Sequence, residues 1–284
     1  MASPYTLKRF VVSFARLTRV WNLLIIGLAQ YLTAGFLIDF STILDPRLFV
    51  LSVSTIMIAA GGYVINDYYD IKIDLINKPQ RVVIGKSITR RYAILFHTLL
   101  SIAGIFLGLL LSWKIAAVNF ASVSLLWWYS NSLKRQPFIG NFVVALLTGV
   151  AIWLVDSLYK TGHMLIITYA SFAFFMTLIR EIIKDMEDLK GDETFGCKTL
   201  PIVWGMRKTK YFIYGILIIF LVTVMTINFY YENLPVQYFM LFLFVPISWL
   251  LVRLIGADTK KDFTWLSDFC KIILLLGIFS MAFI

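Results

Sequence analysis

Two acidic clusters hold the side chains of this chain best suited to chemistry. The first reads Asn66-Asp67-Tyr68-Tyr69-Asp70-Ile71-Lys72-Ile73-Asp74, the second Lys184-Asp185-Met186-Glu187-Asp188-Leu189-Lys190-Gly191-Asp192. Asn66, Asp70 and Asp74 recur at every fourth residue, so on a helix they share one face. Asp185, Asp188 and Asp192, three and four apart, are expected to do the same. Carboxylates crowded at a membrane boundary repel one another unless cations lie among them. Hard oxygen ligands of this kind suit Mg²⁺, which keeps several waters and takes one or two carboxylates plus substrate phosphates. Two such stripes, facing each other, could hold metal ions against both phosphates of a diphosphate. Solvated helix ends are the bland alternative, but these rarely stack three metal-type ligands on one face, twice.

Cations flank both clusters. Lys78 and Arg81 follow the first, while Arg180 and Lys184 lead into the second. Placed there they would stabilise charge gathering on a departing pyrophosphate; ordinary basic decoration of a membrane face is the competing explanation. Aromatic residues make up 16% of the chain and could shield a carbocation. For most of them, Trp127 and Trp128 included, anchoring at the lipid interface is the better account.

The elements that must position these groups are membrane helices. Hydrophobic residues reach 60%, charged residues only 15%, and mean hydropathy is +0.83, well outside soluble usage. Apolar stretches near the length a bilayer demands are expected at 21–40, 47–66, 92–112, 114–130, 138–158, 162–183, 211–231, 236–254 and 266–284. The 114–130 stretch is the weakest, being short and interrupted by Asn119 and Ser122. Lys8, Arg9, Arg16 and Arg19 precede a full-length span with no small-residue cleavage site, which argues against a cleavable leader.

Of the 26 Lys and Arg residues, nearly all fall on one side of such a nine-span plan. Only Arg47, Lys114 and Lys160 fall on the other, with Lys271 at the start of the last span. Positive charge marks the cytoplasmic side, so the N-terminus and both acidic clusters are expected to face the cytoplasm of a cell (inner) membrane. The net charge of +10 then reflects topology and lipid-headgroup attraction, not nucleic-acid binding. The clusters are expected in long cytoplasmic loops, near 67–91 and 184–210, within a single domain spanning 1–284. His97 and His163 stand alone and read as packing residues. Cys197 and Cys270 lie toward a reducing compartment, which disfavours a disulfide.

At the level of whole motifs the chain resembles the UbiA superfamily of intramembrane prenyltransferases. The family's Asn-x3-Asp-x3-Asp motif is met by Asn66, Asp70 and Asp74, followed by Asn77-Lys78-Pro79-Gln80-Arg81. Its Asp-x3-Asp motif is met by Asp188 and Asp192, with Asp185 upstream. Tyr129-Ser130, Leu133-Lys134-Arg135 and Gly140-Asn141 match further elements, and the likeness begins at Arg19-Val20-Trp21-Asn22. Val82-Val83 stands where many members have proline after the arginine.

The resemblance implies an all-α, polytopic membrane protein with nine transmembrane helices around a central cavity that opens sideways to lipid. It implies Mg²⁺ held by Asp70, Asp74, Asp188 and Asp192 with help from Asn66, and Asp185 as part of the catalytic set. Lys78, Arg81, Lys184, Arg180, Ser130 and Lys134 would bind substrate, and Tyr129 would steady the allylic cation or the diphosphate. Arg19 and Asn22 would line the acceptor side. The partners implied are a polyprenyl diphosphate donor, a lipophilic acceptor and the lipid bilayer; no oligomeric state is implied.

The run Arg180-Glu181-Ile182-Ile183-Lys184-Asp185, continued by Gly196-Cys197-Lys198-Thr199-Leu200-Pro201, is similar to geranylgeranylglycerol-phosphate geranylgeranyltransferases of ether-lipid synthesis. Aromatic acceptors of quinone biosynthesis, 4-hydroxybenzoate or dihydroxynaphthoate, are the alternative. A transporter is a distant rival, because its charges should lie near the bilayer midplane. A CDP-alcohol phosphotransferase lacks its Asp-Gly-x2-Ala-Arg element here, and nine apolar spans exclude a soluble terpene synthase.

Overall fold

In this computed structural model the backbone is described for residues 4–230 and 236–283, and side chains for 9–226 and 243–283. Among the described residues there is no strand, only one isolated bridge between Ile84 and Ile88. The helices are α1 (Pro4–Leu17), α2 (Val20–Leu37), α3 (Pro46–Asn77), α4 (Arg90–Leu111), α5 (Trp113–Asn131), α6 (Ile139–Tyr159), α7 (Met164–Glu187), α8 (Leu189–Thr194), α9 (Leu200–Tyr230), α10 (Val236–Ile255) and α11 (Lys260–Ser280). Helices α2 to α7 and α9 to α11 coincide with the nine expected apolar stretches, whose termini at 231 and 284 lie outside the described residues.

Seven of these helices are long and apolar enough to cross a membrane: α2, α3, α4, α6, α7, α9 and α11. Helix α5 is not among them, and the described apolar part of α10, Leu243–Ile255, is shorter. For α5 the reason is visible in its packing. Asn119 is 1% exposed and donates to Ser54 Oγ at 2.8 Å and to the Gly104 carbonyl at 3.1 Å. A carboxamide so satisfied by neighbouring helices lowers the apolarity of the segment without the cost of an unpaired amide in lipid.

The N-terminal segment forms helix α1. One expectation is corrected: the acidic clusters are carried by helices and not by loops. Helix α3 continues through the whole first cluster to Asn77, because no glycine or proline interrupts it before Pro79, whose ring disfavours helical backbone at Lys78. At 32 residues it measures about 48 Å, against a hydrocarbon layer of about 30 Å. Its charged last turns can therefore leave the lipid while remaining helical.

The chain packs as two compact units, one of residues 1–28 and 46–134, the other of 29–45 and 135–284. In the first, α3 lies against α4 and α5. A small satellite core joins Leu17 of α1, Val64 of α3 and Ala93 of α4 to Val83, Ile84 and Ile88 of the loop after α3. Gly85, at φ +88, makes the turn inside that loop, a conformation open to glycine. Val83, 8% exposed, is thus a packing residue.

In the second unit α7 is central, flanked by α6, α9 and α11. Tyr169, Phe172, Phe220 and Phe263 fill the core, and the Tyr169 hydroxyl meets Ser280 Oγ at 2.8 Å. Helix α11 approaches so closely that a methyl group on Gly277 would collide with the Phe172 ring. Gly215 on α9, by contrast, faces open space. Gly277→Ala is therefore expected to lower stability by about 1–3 kcal/mol through overpacking, while Gly215→Ala is neutral or slightly stabilising; thermal unfolding of the two variants in detergent checks the contrast.

Candidate active site

In the first unit the sequence stripe is a physical one. Asn66 and Asp70 sit one turn apart on α3, and their side-chain oxygens converge on a single cation, the ammonium of Lys134. Its Nζ lies 2.6 Å from Asp70 Oδ1, 3.2 Å from Asn66 Oδ1 and 3.5 Å from the Asn66 carbonyl. Lys134 is delivered by the 3₁₀ turn Leu133–Arg135 that follows α5, with Leu133 buried beneath it. Asp74 follows one turn further along α3, partly buried.

Asp67 was outside the four-residue stripe and was not singled out by spacing, yet the structure gives it a cationic partner. Arg19 Nη2 donates to Asp67 Oδ1 at 2.8 Å, and the same guanidinium lies 4.7 Å from the centre of the Tyr63 ring. Asn22 Nδ2 donates to the Tyr63 hydroxyl at 3.3 Å. Arg19 and Asn22, expected together on the acceptor side, are thus joined through Tyr63. Arg19 joins α1 to α2 with φ +53, left-handed backbone that costs a non-glycine residue and tends to persist where surrounding contacts fix it. The Asp67 ion pair and the Tyr63 stack are such contacts.

The second stripe is bent. Helix α7 stops at Glu187, and Asp188, at φ −95 and ψ 8, closes it and opens the six-residue α8. Asp185, Asp188 and Asp192 do not lie along one uninterrupted helix, contrary to the spacing expectation. The ladder nonetheless passes the corner: Asp188 N donates to Lys184 O at 2.9 Å and Asp192 N to Asp188 O at 3.2 Å. Asp185 accepts from Asn141 Nδ2 of α6 at 2.8 Å, which explains the Gly140-Asn141 element as a brace on α7.

Glu181 is the residue the spacing argument passed over in this unit. Only 7% exposed, it accepts from Arg180 Nη1 at 2.5 Å and from Lys184 Nζ at 3.1 Å. Burying a carboxylate is costly unless cations meet it, so a Glu within an apolar helix run and beside basic residues was the available signal. The structure pairs Arg19 with Asp67, Lys134 with Asp70 and Arg180 with Glu181.

The remaining expected residues are placed less uniformly. Lys78 is partly buried and Arg81 exposed in the loop after α3. Tyr129 is partly buried on the last turn of α5. Ser130 is fully buried and its hydroxyl donates to the Leu126 carbonyl at 2.8 Å. His97 Nδ1 lies 3.0 Å from the Gly61 carbonyl, a packing contact between α4 and α3, and the two cysteines are free and buried.

Among the described residues no three His, Cys, Asp or Glu side chains gather about one point. The donor chemistry nevertheless fits Mg²⁺. The residues expected to hold it offer carboxylate and carboxamide oxygens, which suit a hard cation, and those of Asn66 and Asp70 surround the Lys134 ammonium.

Comparison with known proteins bears on the chain as a whole. A family model described as the UbiA prenyltransferase family matches residues 27–276. The digeranylgeranylglyceryl phosphate synthase of Saccharolobus solfataricus is 33% identical over 272 residues, covering 94% of this chain and 95% of the relative. A solved structure from work on digeranylgeranylglyceryl phosphate synthase in membranes superposes with TM-score 0.72 at 25% identity, covering 96% of this chain and 97% of the other. The fold also matches a UbiA homologue from Archaeoglobus fulgidus bound to DMAPP and Mg²⁺, with TM-score 0.68 at 16% identity over 96% of this chain and all of that one. A helical membrane fold, two acidic motifs and a match over most of the chain lead to one assignment: the chain belongs to the UbiA prenyltransferase family.

Proposed function

We propose that this prenyltransferase moves a geranylgeranyl group from its diphosphate to a prenylglycerol phosphate, forming an ether lipid. The chemistry is supported by the first stripe, where Asn66 and Asp70 already enclose a cation. The acceptor assignment is supported by likeness over nearly the whole chain to a relative named as a digeranylgeranylglyceryl phosphate synthase.

Asp70, Asp74, Asp188 and Asp192, with Asn66, are the residues that would hold Mg²⁺. Bound there, the metal supplies positive charge that neutralises the diphosphate as a leaving group. The chain's own part is to position and to shield. Lys78, Arg81 and Lys184 add charge toward the departing oxygens, and Tyr129 steadies the allylic carbon as its C–O bond breaks. Asn141 holds Asp185 in place. The acceptor hydroxyl attacks C1, releasing diphosphate and a proton, and its phosphate is met by Arg19 and Arg180. Lipid-facing walls exclude the water that would otherwise capture the allylic cation.

In this proposal the chain works as a single domain with nine membrane spans. The N-terminus and the acidic clusters face the cytoplasm, as the distribution of Lys and Arg favours. The deciding assay incubates purified protein in detergent with Mg²⁺, geranylgeranyl diphosphate and a choice of acceptors. Product is expected from geranylgeranylglyceryl phosphate and little from 4-hydroxybenzoate or dihydroxynaphthoate. Prenylation of either ring, with none of the glycerol phosphate, would reject the acceptor and retain the family.

A further inference from the structure

The ammonium of Lys134 stands among oxygens that are proposed above to hold metal. It is in contact with Asp70 Oδ1, Asn66 Oδ1 and the Asn66 carbonyl, three oxygens about one compact charge. The pair is well shielded, with side-chain exposures of 10% for Lys134 and 15% for Asp70. An ammonium so far from water is retained only by close oxygen partners. A divalent ion on the same Asp70 oxygen would sit beside this ammonium and be repelled by it. On that one oxygen the two cations compete.

What can change is the side chain, not its attachment. The backbone on either side is fixed: Ser132 N donates to Trp128 O at 2.9 Å, and Lys198 N donates to Arg135 O at 2.8 Å. Leu133, immediately before, is 6% exposed. Beyond Cα, lysine has a four-carbon stem with freely rotating donors and no preference for two-pronged geometry, so its head can leave one oxygen partner for another. Asp67 is no rival partner for that move, since Arg19 already holds it.

We propose that Lys134 is a built-in counter-cation of the first acidic stripe. It neutralises Asp70 and occupies the Asn66 oxygens before substrate binds, and it releases them to metal when a diphosphate offers its ammonium another anion. Metal and diphosphate then bind cooperatively, each favouring the other by the same factor, and metal alone binds weakly. This rests on the metal–diphosphate chemistry proposed above.

The test titrates Mn²⁺ alone into the full-length protein in detergent and reads free Mn²⁺ by electron paramagnetic resonance. An opposite charge beside a carboxylate changes its hold on another cation by roughly one to three powers of ten. Lys134→Met is therefore expected to bind Mn²⁺ about tenfold or more tightly than wild type, while Lys134→Arg, which keeps the charge, stays near wild type. Asp70→Asn in the Lys134→Met background should reverse the gain. A merely structural lysine would give the opposite sign, because its loss would loosen the site. Lys134→Gln serves the same arm if the Met variant does not fold. Equal or weaker Mn²⁺ binding in both uncharged variants overturns the counter-cation role, and wild-type prenyl transfer in the acceptor assay then leaves the proposed function intact. Absence of transfer by wild type with any metal or acceptor overturns the function instead.

Discussion

Asp70→Asn and Asp188→Asn should each lower kcat by about 10²- to 10³-fold, the loss typical when one group that stabilises developing charge is removed. Excess EDTA should stop the wild type, and added Mg²⁺ or Mn²⁺ should restore it. Asp70→Asn should also lose some stability, because it removes the counter-charge of the shielded Lys134 ammonium. The loss is tempered by the acceptor oxygen that the carboxamide keeps and by Asn66. Asp188 lies at the corner between α7 and α8, where backbone bonds hold the turn and its side chain makes no capping bond. Steady-state kinetics with unfolding curves on the same preparations separate the two effects. Full turnover of either variant, or of wild type in EDTA, would remove the metal–carboxylate chemistry from this chain.

The first stripe was legible in the sequence because its cause is local. Four-residue spacing on a helix is enough to align Asn66, Asp70 and Asp74, and α3 carries on through them as long as nothing breaks it. Helix positions were legible for the same reason, each apolar stretch being its own signal. What the sequence concealed depends on contacts between distant segments. Spacing cannot reveal that Arg19 reaches Asp67, that Lys134 crosses to Asn66 and Asp70, or that Asn141 braces Asp185. The bend at Asp188 was hidden because its ligand spacing is compatible with one straight helix, and α8 is only six residues long. Amphipathic α1 was missed for a different reason. Its charge had been credited to topology, and a helix that packs Leu17 under a loop leaves no long apolar run to notice.

Arg180 has two candidate jobs, and a pair of substitutions should separate them. It is the nearer partner of buried Glu181, at 2.5 Å, and it is a proposed contact for the acceptor phosphate. Arg180→Met removes both. Breaking a buried ion pair from one side typically costs about 3–5 kcal/mol, although Lys184 remains at 3.1 Å from the same carboxylate and should temper the loss. A charge-assisted contact to phosphate is worth about 1.5–3 kcal/mol, so the acceptor KM should rise roughly 10- to 100-fold, with the donor KM changing less. Adding Glu181→Leu removes the stranded carboxylate and should recover much of the stability. It supplies no cation, so the acceptor KM should stay high in Arg180→Met/Glu181→Leu. Recovery of the acceptor KM together with stability would show that Arg180 only neutralises Glu181, and the acceptor phosphate would then have to be met by other cations of the chain.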